Sequence, residues 1–289
     1  MKTLIHVRLE HINKERKRYM KTQIRKIYAC FPGGKHKVLT MSYDDGKQED
    51  RRLVEIFNQY GIKGTFNVNS GLEADPVRIP QKEYKELYKG HEVACHTVSH
   101  PTIGRCPTAI VAQEIIEDRK RLEALMGYPV RGLAYPNGSY SEEICALLPG
   151  LGIRYGRIVG DSDDFALPEN FLQWKATCHH DHNLQELAKQ FVDNKKKQNL
   201  YLMYVWGHSY EFERNNNWNV IEDFCKLAGG RDDIWYASNI EIVDYMDVVK
   251  MAQFAADGSF VYNPCAASLW ICIDDEQFVE VKGGEQKML

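Results

Sequence analysis

From Val38 onward, short apolar runs alternate with stretches patterned as helices, and this alternation constrains the chain more than any other feature. Val38–Ser42, Thr65–Asn69, Glu92–Cys95, Gly132–Tyr135, Ile153–Val159, Leu200–Trp206 and Ile234–Ala237 read as strands, being rich in β-branched, aromatic and other apolar residues. Between them, Gln48–Tyr60 places Leu53, Ile56, Phe57 and Tyr60 at i, i+3, i+4, i+7 spacing, the apolar stripe of a helix. Ala109–Met126 is the clearest helix, with Val111, Ile115, Leu122 and Leu125 on one face and Gly127 as its stop. Leu184–Asp193, Val220–Leu227 and Ile240–Gln253 continue the series. About seven β-then-α units predict an α/β fold whose parallel sheet is closed or nearly closed into a barrel. In such folds the chemistry sits on the loops that follow strand C-terminal ends.

Both ends of the chain differ from this frame. Residues 1–19 carry a net charge of +4, leaving −7 for the remainder of a chain whose net charge is −3. A second Met-Lys-Thr begins at Met20, so residues 1–19 read either as an extension upstream of the natural start or as a basic arm packed on the domain. Residues 20–253 form the expected main domain. After it, residues 254–289 switch to strand-like alternation at Phe260–Tyr262, Leu269–Ile273 and Phe278–Val281, broken by Asn263-Pro264 and Asp274-Asp275, which predicts a short C-terminal β appendage. The pI near 6.4 gives no electrostatic reason to expect a nucleic acid. No apolar run approaches the ~18 residues of a membrane span, so no membrane partner is expected. Leu4, Ile5 and Val7 are too short and too interrupted for a secretory signal. The eight cysteines form no C-x-x-C pair, consistent with free thiols, and the expected location is cytoplasmic.

Two clusters carry ligand chemistry. Thr40-Met41-Ser42-Tyr43-Asp44-Asp45-Gly46 follows the first strand, and adjacent carboxylates repel unless a cation or proton lies between them. Gly46 permits a sharp turn that lets both point into one cleft, although Asp-Asp-Gly is also ordinary β-turn chemistry. His96-Thr97-Val98-Ser99-His100-Pro101 follows the third strand. Histidines four apart share one face of a helical turn, and Pro101 limits that turn to a loop. By themselves they could be two surface histidines; joined to a carboxylate from another strand end they make a two-histidine, one-carboxylate set. Such a set suits one divalent ion, zinc first, with cobalt, nickel or iron as alternatives. Cys178-His179-His180-Asp181-His182 is a further concentration, readable as a second metal site, a groove wall or a polar loop.

Taken in order, these segments resemble the NodB-type polysaccharide deacetylases, carbohydrate esterase family 4. Ser42–Gly46 and His96–His100 are similar to the family's first two motifs, Arg131-Gly132-Leu133-Ala134-Tyr135-Pro136-Asn137-Gly138-Ser139-Tyr140 to the third, and Leu202–His208 to the last. The resemblance implies a distorted (β/α) barrel. It implies that Asp45, His96 and His100 hold the metal, that Asp44 is the general base acting on metal-activated water, and that Arg131 pairs with Asp44. His208 would protonate the leaving group, and the backbone N–H of Asn137, after Pro136, would help bind the oxyanion. Tyr135, Pro136, Asn137 and Trp174 are the expected substrate contacts. Two positions depart from the family pattern: Asn137 stands where an aromatic is usual, and Asp161-Ser162-Asp163-Asp164-Phe165 is an imperfect match to the fourth motif, with Trp174 as the candidate replacement wall.

The expected activity is removal of acetyl groups from N-acetylated sugars or oligosaccharides. The alternatives are C–N hydrolysis of small non-sugar amides, cleavage of O-acetyl esters, and a non-catalytic glycan-binding module. The missing export signal argues against an external polymer as substrate.

Overall fold

The computed structural model describes residues 25–289, so residues 1–19 and the Met20 question lie outside the described residues. Its centre is a mostly parallel sheet: β2 (Lys37–Asp44), β3 (Gly64–Val68), β4 (Glu92–Cys95), β5 (Gly132–Ala134) and β6 (Tyr155–Asp161) pair in sequence order. β9 (Tyr201–Gly207) lies on the other side of β2, running parallel from Lys37↔Tyr201 to Tyr43↔Gly207. The edges are brought together by β7 (Trp174–Ala176) and β8 (Cys178–His179), which are one run interrupted at Thr177. Its first part pairs with β6, and its second pairs with β9, so the sheet curls toward a barrel of about seven strands. At the interruption, Thr177 N–H donates to the Tyr204 carbonyl at 2.8 Å and its hydroxyl accepts from Tyr204 N–H at 3.0 Å. A side chain thus takes over ladder bonding where the strand breaks. β10 (Ile234–Tyr236) completes the set beside the start of β2.

All eight residues of β2 are buried, as expected of a parallel strand covered on both faces. The helix over Asp50–Tyr60 turns Leu53, Val54, Ile56 and Phe57 inward and ends at Gly61, whose φ of 65° closes the helix in a left-handed cap. The long helix Thr108–Met126 buries Val111, Ile115 and Leu122 in the same core, and Asp118 with them. Leu184–Asp193, Asn219–Ala228 and Asn239–Met251 cover the remaining outside of the sheet.

The C-terminal strands build two small antiparallel sheets. β13 (Leu269–Ile273) lies between β14 (Gln277–Val281) and β1 (Ile27–Cys30), so a strand from before the main sheet joins this region. β11 (Gln253–Phe254), β12 (Phe260–Tyr262) and β15 (Gln286–Met288) form the other. Among the described residues, no helix is long and apolar enough to cross a bilayer.

Candidate metal centre and active site

The ends of β2, β4 and β9 and the middle of β6 converge on one cluster. Asp44 is the last residue of β2 and is buried. Its in-register neighbour on β3 is Asn67, whose amide donates to Asp44 Oδ1 at 2.9 Å and to Ser42 Oγ at 2.8 Å. Asp45 follows with φ 81° and Gly46 with φ 61°, the left-handed conformations that turn the chain sharply after the strand. This bend sends Asp45 toward the loop after β4.

On that loop the two histidines meet, but not on a helical turn. Thr97 (φ 66°) and His100 (φ 58°) both take left-handed backbone, and the His96 and His100 rings lie 4.7 Å apart at 73°. Pro101 disfavours right-handed helix at His100, and the left-handed backbone brings the rings together in its place. His100 N–H donates to Thr97 Oγ1 at 3.1 Å, and Asn69 Nδ2 donates to the carbonyls of His96 and Thr97 at 2.5 and 3.1 Å, which pins the loop. His96 Nδ1 lies 2.8 Å from the Ala134 carbonyl. That bond places the proton on Nδ1 and leaves the Nε2 lone pair free. Nε2 of His96 is 3.9 Å from Asp45 Oδ1, and Nε2 of His100 is 4.0 Å from the same oxygen. Burial pulls His96 down to about 4, so the ring is neutral and can act as a ligand. Two imidazole nitrogens and one carboxylate oxygen therefore face a common point, an arrangement that could hold a divalent ion.

Asp44 is held by arginine, but not by the expected one. Arg157, in β6 and 1% exposed, pairs with Asp44 Oδ2 and lies 4.4 Å over the Trp206 ring. Arg131 instead forms a two-pronged ion pair with Asp244 at 2.7 and 2.8 Å. The reason is directional: Arg131 precedes β5 and so lies at the end of the sheet opposite the site. Burial raises the Asp44 carboxyl, but the Arg157 guanidinium, which both attracts it and hydrogen-bonds to it, chiefly outweighs burial and holds the group below the usual carboxylate range.

His208 stands directly after β9 and caps the helix Ser209–Arg214. Its Nδ1 and its backbone N–H both meet Glu211 Oε2 at 3.2 Å. Burial pulls the His208 imidazole down, yet the Glu211 hydrogen bond and the Asp44 charge leave it raised above its ordinary value. Glu211 also receives His179 Nε2 at 3.2 Å. Burial alone would raise Glu211, but its bonds to His179 and His208 hold it well below the usual range.

Two expected substrate contacts are core residues instead. Trp174 is fully buried, packed edge-on against Tyr155, Phe171 and Tyr204, because it opens β7 on the face turned to the interior. Tyr135 is also buried, its hydroxyl donating to the Leu172 carbonyl at 2.7 Å. Pro136 is buried too, while Asn137 is exposed with φ 55° and its amide donates to Thr102 Oγ1 at 3.0 Å. Asp161, from the imperfect fourth motif, accepts from His179 N–H at 2.6 Å and Trp206 Nε1 at 3.3 Å, so it ties β6 to β8 and β9.

Besides Asn67 and Asn69, three charged residues with a part in the site escaped sequence reasoning. Arg78 donates to the Asp45 carbonyl and to Asn69 Oδ1 at 2.9 Å, and its guanidinium lies 3.8 Å from Asp45 Oδ1. Asp118, pushed up to about 6 by burial, accepts from Ser70 N–H and His96 N–H at 2.9 and 3.0 Å. Arg157 is the third. Arg157 is one of two arginines inside the otherwise apolar run Ile153–Val159, and the other, Arg154, is an exposed partner of Asp247. An open cavity of about 440 Å³ borders the site, between Asp45, Lys47 and Val77 on one side and Tyr210, Glu213 and Arg214 on the other.

A barrel-like β/α fold thus brings two histidines and two carboxylates together at its strand ends. Residues 32–156 match the polysaccharide deacetylase family model. It is 29% identical over 104 residues to a chitooligosaccharide deacetylase of Rhizobium leguminosarum bv. phaseoli, covering 35% of this chain and 44% of that one. It is 25% identical over 148 residues to a chitooligosaccharide deacetylase of a Bradyrhizobium strain, covering 50% and 65%. The alignments thus span from under half to about two thirds of these relatives' length. The solved structure of a Mycobacterium smegmatis protein classed as a polysaccharide deacetylase shares the fold, at 16% identity and a TM-score of 0.58 over 76% of this chain and 93% of that one.

Proposed function

We propose that this protein is a metal-dependent deacetylase that removes acetyl groups from N-acetylated sugars or oligosaccharides. One observation carries the reading: an ionised, arginine-held Asp44 stands 3.9 Å from His96, beside the Asp45–His96–His100 donor set. Asp45, His96 and His100 would hold the ion, with zinc the first choice for two imidazoles and a carboxylate. When bound, it polarises the acetyl carbonyl and lowers the pKa of water toward ~7.

The chain's own residues supply the rest. Asp44 takes the proton from the attacking water. Its carboxylate is a weak base by itself, and Arg157 and Asn67 fix its orientation so that no reorganisation is needed during the reaction. His208 donates a proton to the departing nitrogen through Nε2, because Glu211 occupies Nδ1. An amide nitrogen leaves poorly as an anion, so this acid matters more for N-acetyl than for O-acetyl groups. The Asn137 N–H is the proposed contact for the oxyanion. With Trp174 and Tyr135 in the core, Tyr210, whose ring lies 5.3 Å from that of His208, is the aromatic face offered to a sugar ring.

The test uses the full chain reconstituted with zinc or cobalt, following acetate from N-acetylated oligosaccharides, N-acetylated monosaccharides, O-acetylated sugars and small amides. The expected result is acetate release from the N-acetylated oligosaccharides. Turnover of small amides with none of the N-acetylated sugars would overturn the substrate assignment.

A further inference from the structure

We propose that His179, His180 and Glu211 form a second divalent-cation site, distinct from the Asp45–His96–His100 cluster and suited to zinc or a similar borderline ion. The three side chains come from two elements that the sheet brings together. His179 ends β8, His180 follows it, and Glu211 lies in the first turn of the helix after β9.

Their donor atoms already stand at chelating distances. Glu211 Oε2 is 3.2 Å from His179 Nε2 and 3.5 Å from His180 Nε2, and all three donors lie within 4.8 Å of one another. Ligands ~2.0–2.2 Å from a tetrahedral ion are spaced by about this much. The second, independent observation is His180 itself. It is 1% exposed, and both of its ring nitrogens are buried with no hydrogen-bond partner. A buried imidazole without partners is costly, and native structures leave few of them. The ring is locked in place, stacked on Tyr43 at 7° and packed 4.1 Å from Phe212. Only glycine fits at position 207, where a Cβ would collide with His180 Nδ1. An ion on Nε2 would give this fixed, unpartnered nitrogen its partner.

Further donors are close. Asp181 Oδ1 lies 3.6 Å from His180 Nε2, within reach of a fourth position. His179 is partly exposed, which provides an entry path. Binding through His179 Nε2 moves its proton to Nδ1 and gives up the 3.2 Å bond from Asp181 N–H, a long bond that a small movement of the loop releases. Because Glu211 Oε2 also holds His208 Nδ1, an ion here shares that oxygen with the proposed acid.

The experiment counts bound metal and needs no activity. Wild-type protein, stripped and then dialysed against zinc, is expected to hold two ions per chain, and His100→Ala is expected to hold one. Adding Glu211→Gln or His179→Ala to His100→Ala should weaken that remaining ion at least tenfold, read also as loss of the cobalt absorption bands. Glu211→Gln is isosteric, and circular dichroism of each variant verifies folding. A single ion that disappears with Glu211→Gln but persists in His100→Ala would support this site while removing the other. The proposal is overturned if His100→Ala binds no metal, or if its remaining ion is indifferent to both added substitutions.

Discussion

Asp44→Asn is expected to lower acetate release by ~10²–10⁴-fold while leaving the bound ion in place. The substitution keeps the shape of the side chain and its place at the end of β2, but removes the proton acceptor. His208→Ala should fall by a similar factor for N-acetyl substrates, and by much less for O-acetyl esters, whose alkoxide leaves without help. The pH profile separates the two residues. His208 is raised above the ordinary imidazole value and acts in its protonated form, so wild-type activity falls as pH rises through that raised pKa. The alkaline limb should vanish in His208→Ala and persist in Asp44→Asn. Metal content measured beside the rates distinguishes a lost base from a lost ligand.

The second large effect is a contrast between two arginines. Arg157 is 1% exposed and its partner Asp44 is buried, so Arg157→Ala leaves an uncompensated carboxylate in the core. Breaking such a pair typically costs ~3–5 kcal/mol. Arg131 and Asp244 have side chains 34% and 47% exposed, and a pair of that kind is worth about 1 kcal/mol or less. Urea melts of Arg157→Ala and Arg131→Ala should differ accordingly, and activity should collapse only in the first. Equal losses in the two variants would mean that Asp44 is held by something other than Arg157.

That contrast also shows where sequence reading reached its limit. The proximity of Asp45, His96 and His100 was legible because each follows a strand, and the fold puts strand C-terminal ends together. The pairing of Asp44 was not, because it depends on which residue of a neighbouring strand points inward at the right height. Arg131 stands at the correct point of a motif, yet before β5, whereas Arg157 faces the site from inside β6. Trp174 reads as a candidate wall of the site because β7 and β8 are not visible as strands: three and two residues, interrupted at Thr177, give no usable periodicity. The long helices were legible for the opposite reason. Leu184–Asp193 has the predicted bounds, and Thr108–Met126 differs by one residue, since an apolar stripe over several turns specifies both period and face. The His96–His100 spacing suggests a helical turn, but left-handed residues at Thr97 and His100 bring the two rings together by backbone instead. His180 was visible only as part of a histidine-rich run. That it is buried with neither nitrogen bonded is a tertiary fact that no motif carries.

The central claim is that Asp45, His96 and His100 form one metal centre. An anomalous-difference map from zinc-loaded crystals tests it most directly. The account predicts a peak bonded to Asp45, His96 Nε2 and His100 Nε2 at ~2.0–2.2 Å. An ordered cluster with no density between these three side chains, at full zinc loading, would contradict it.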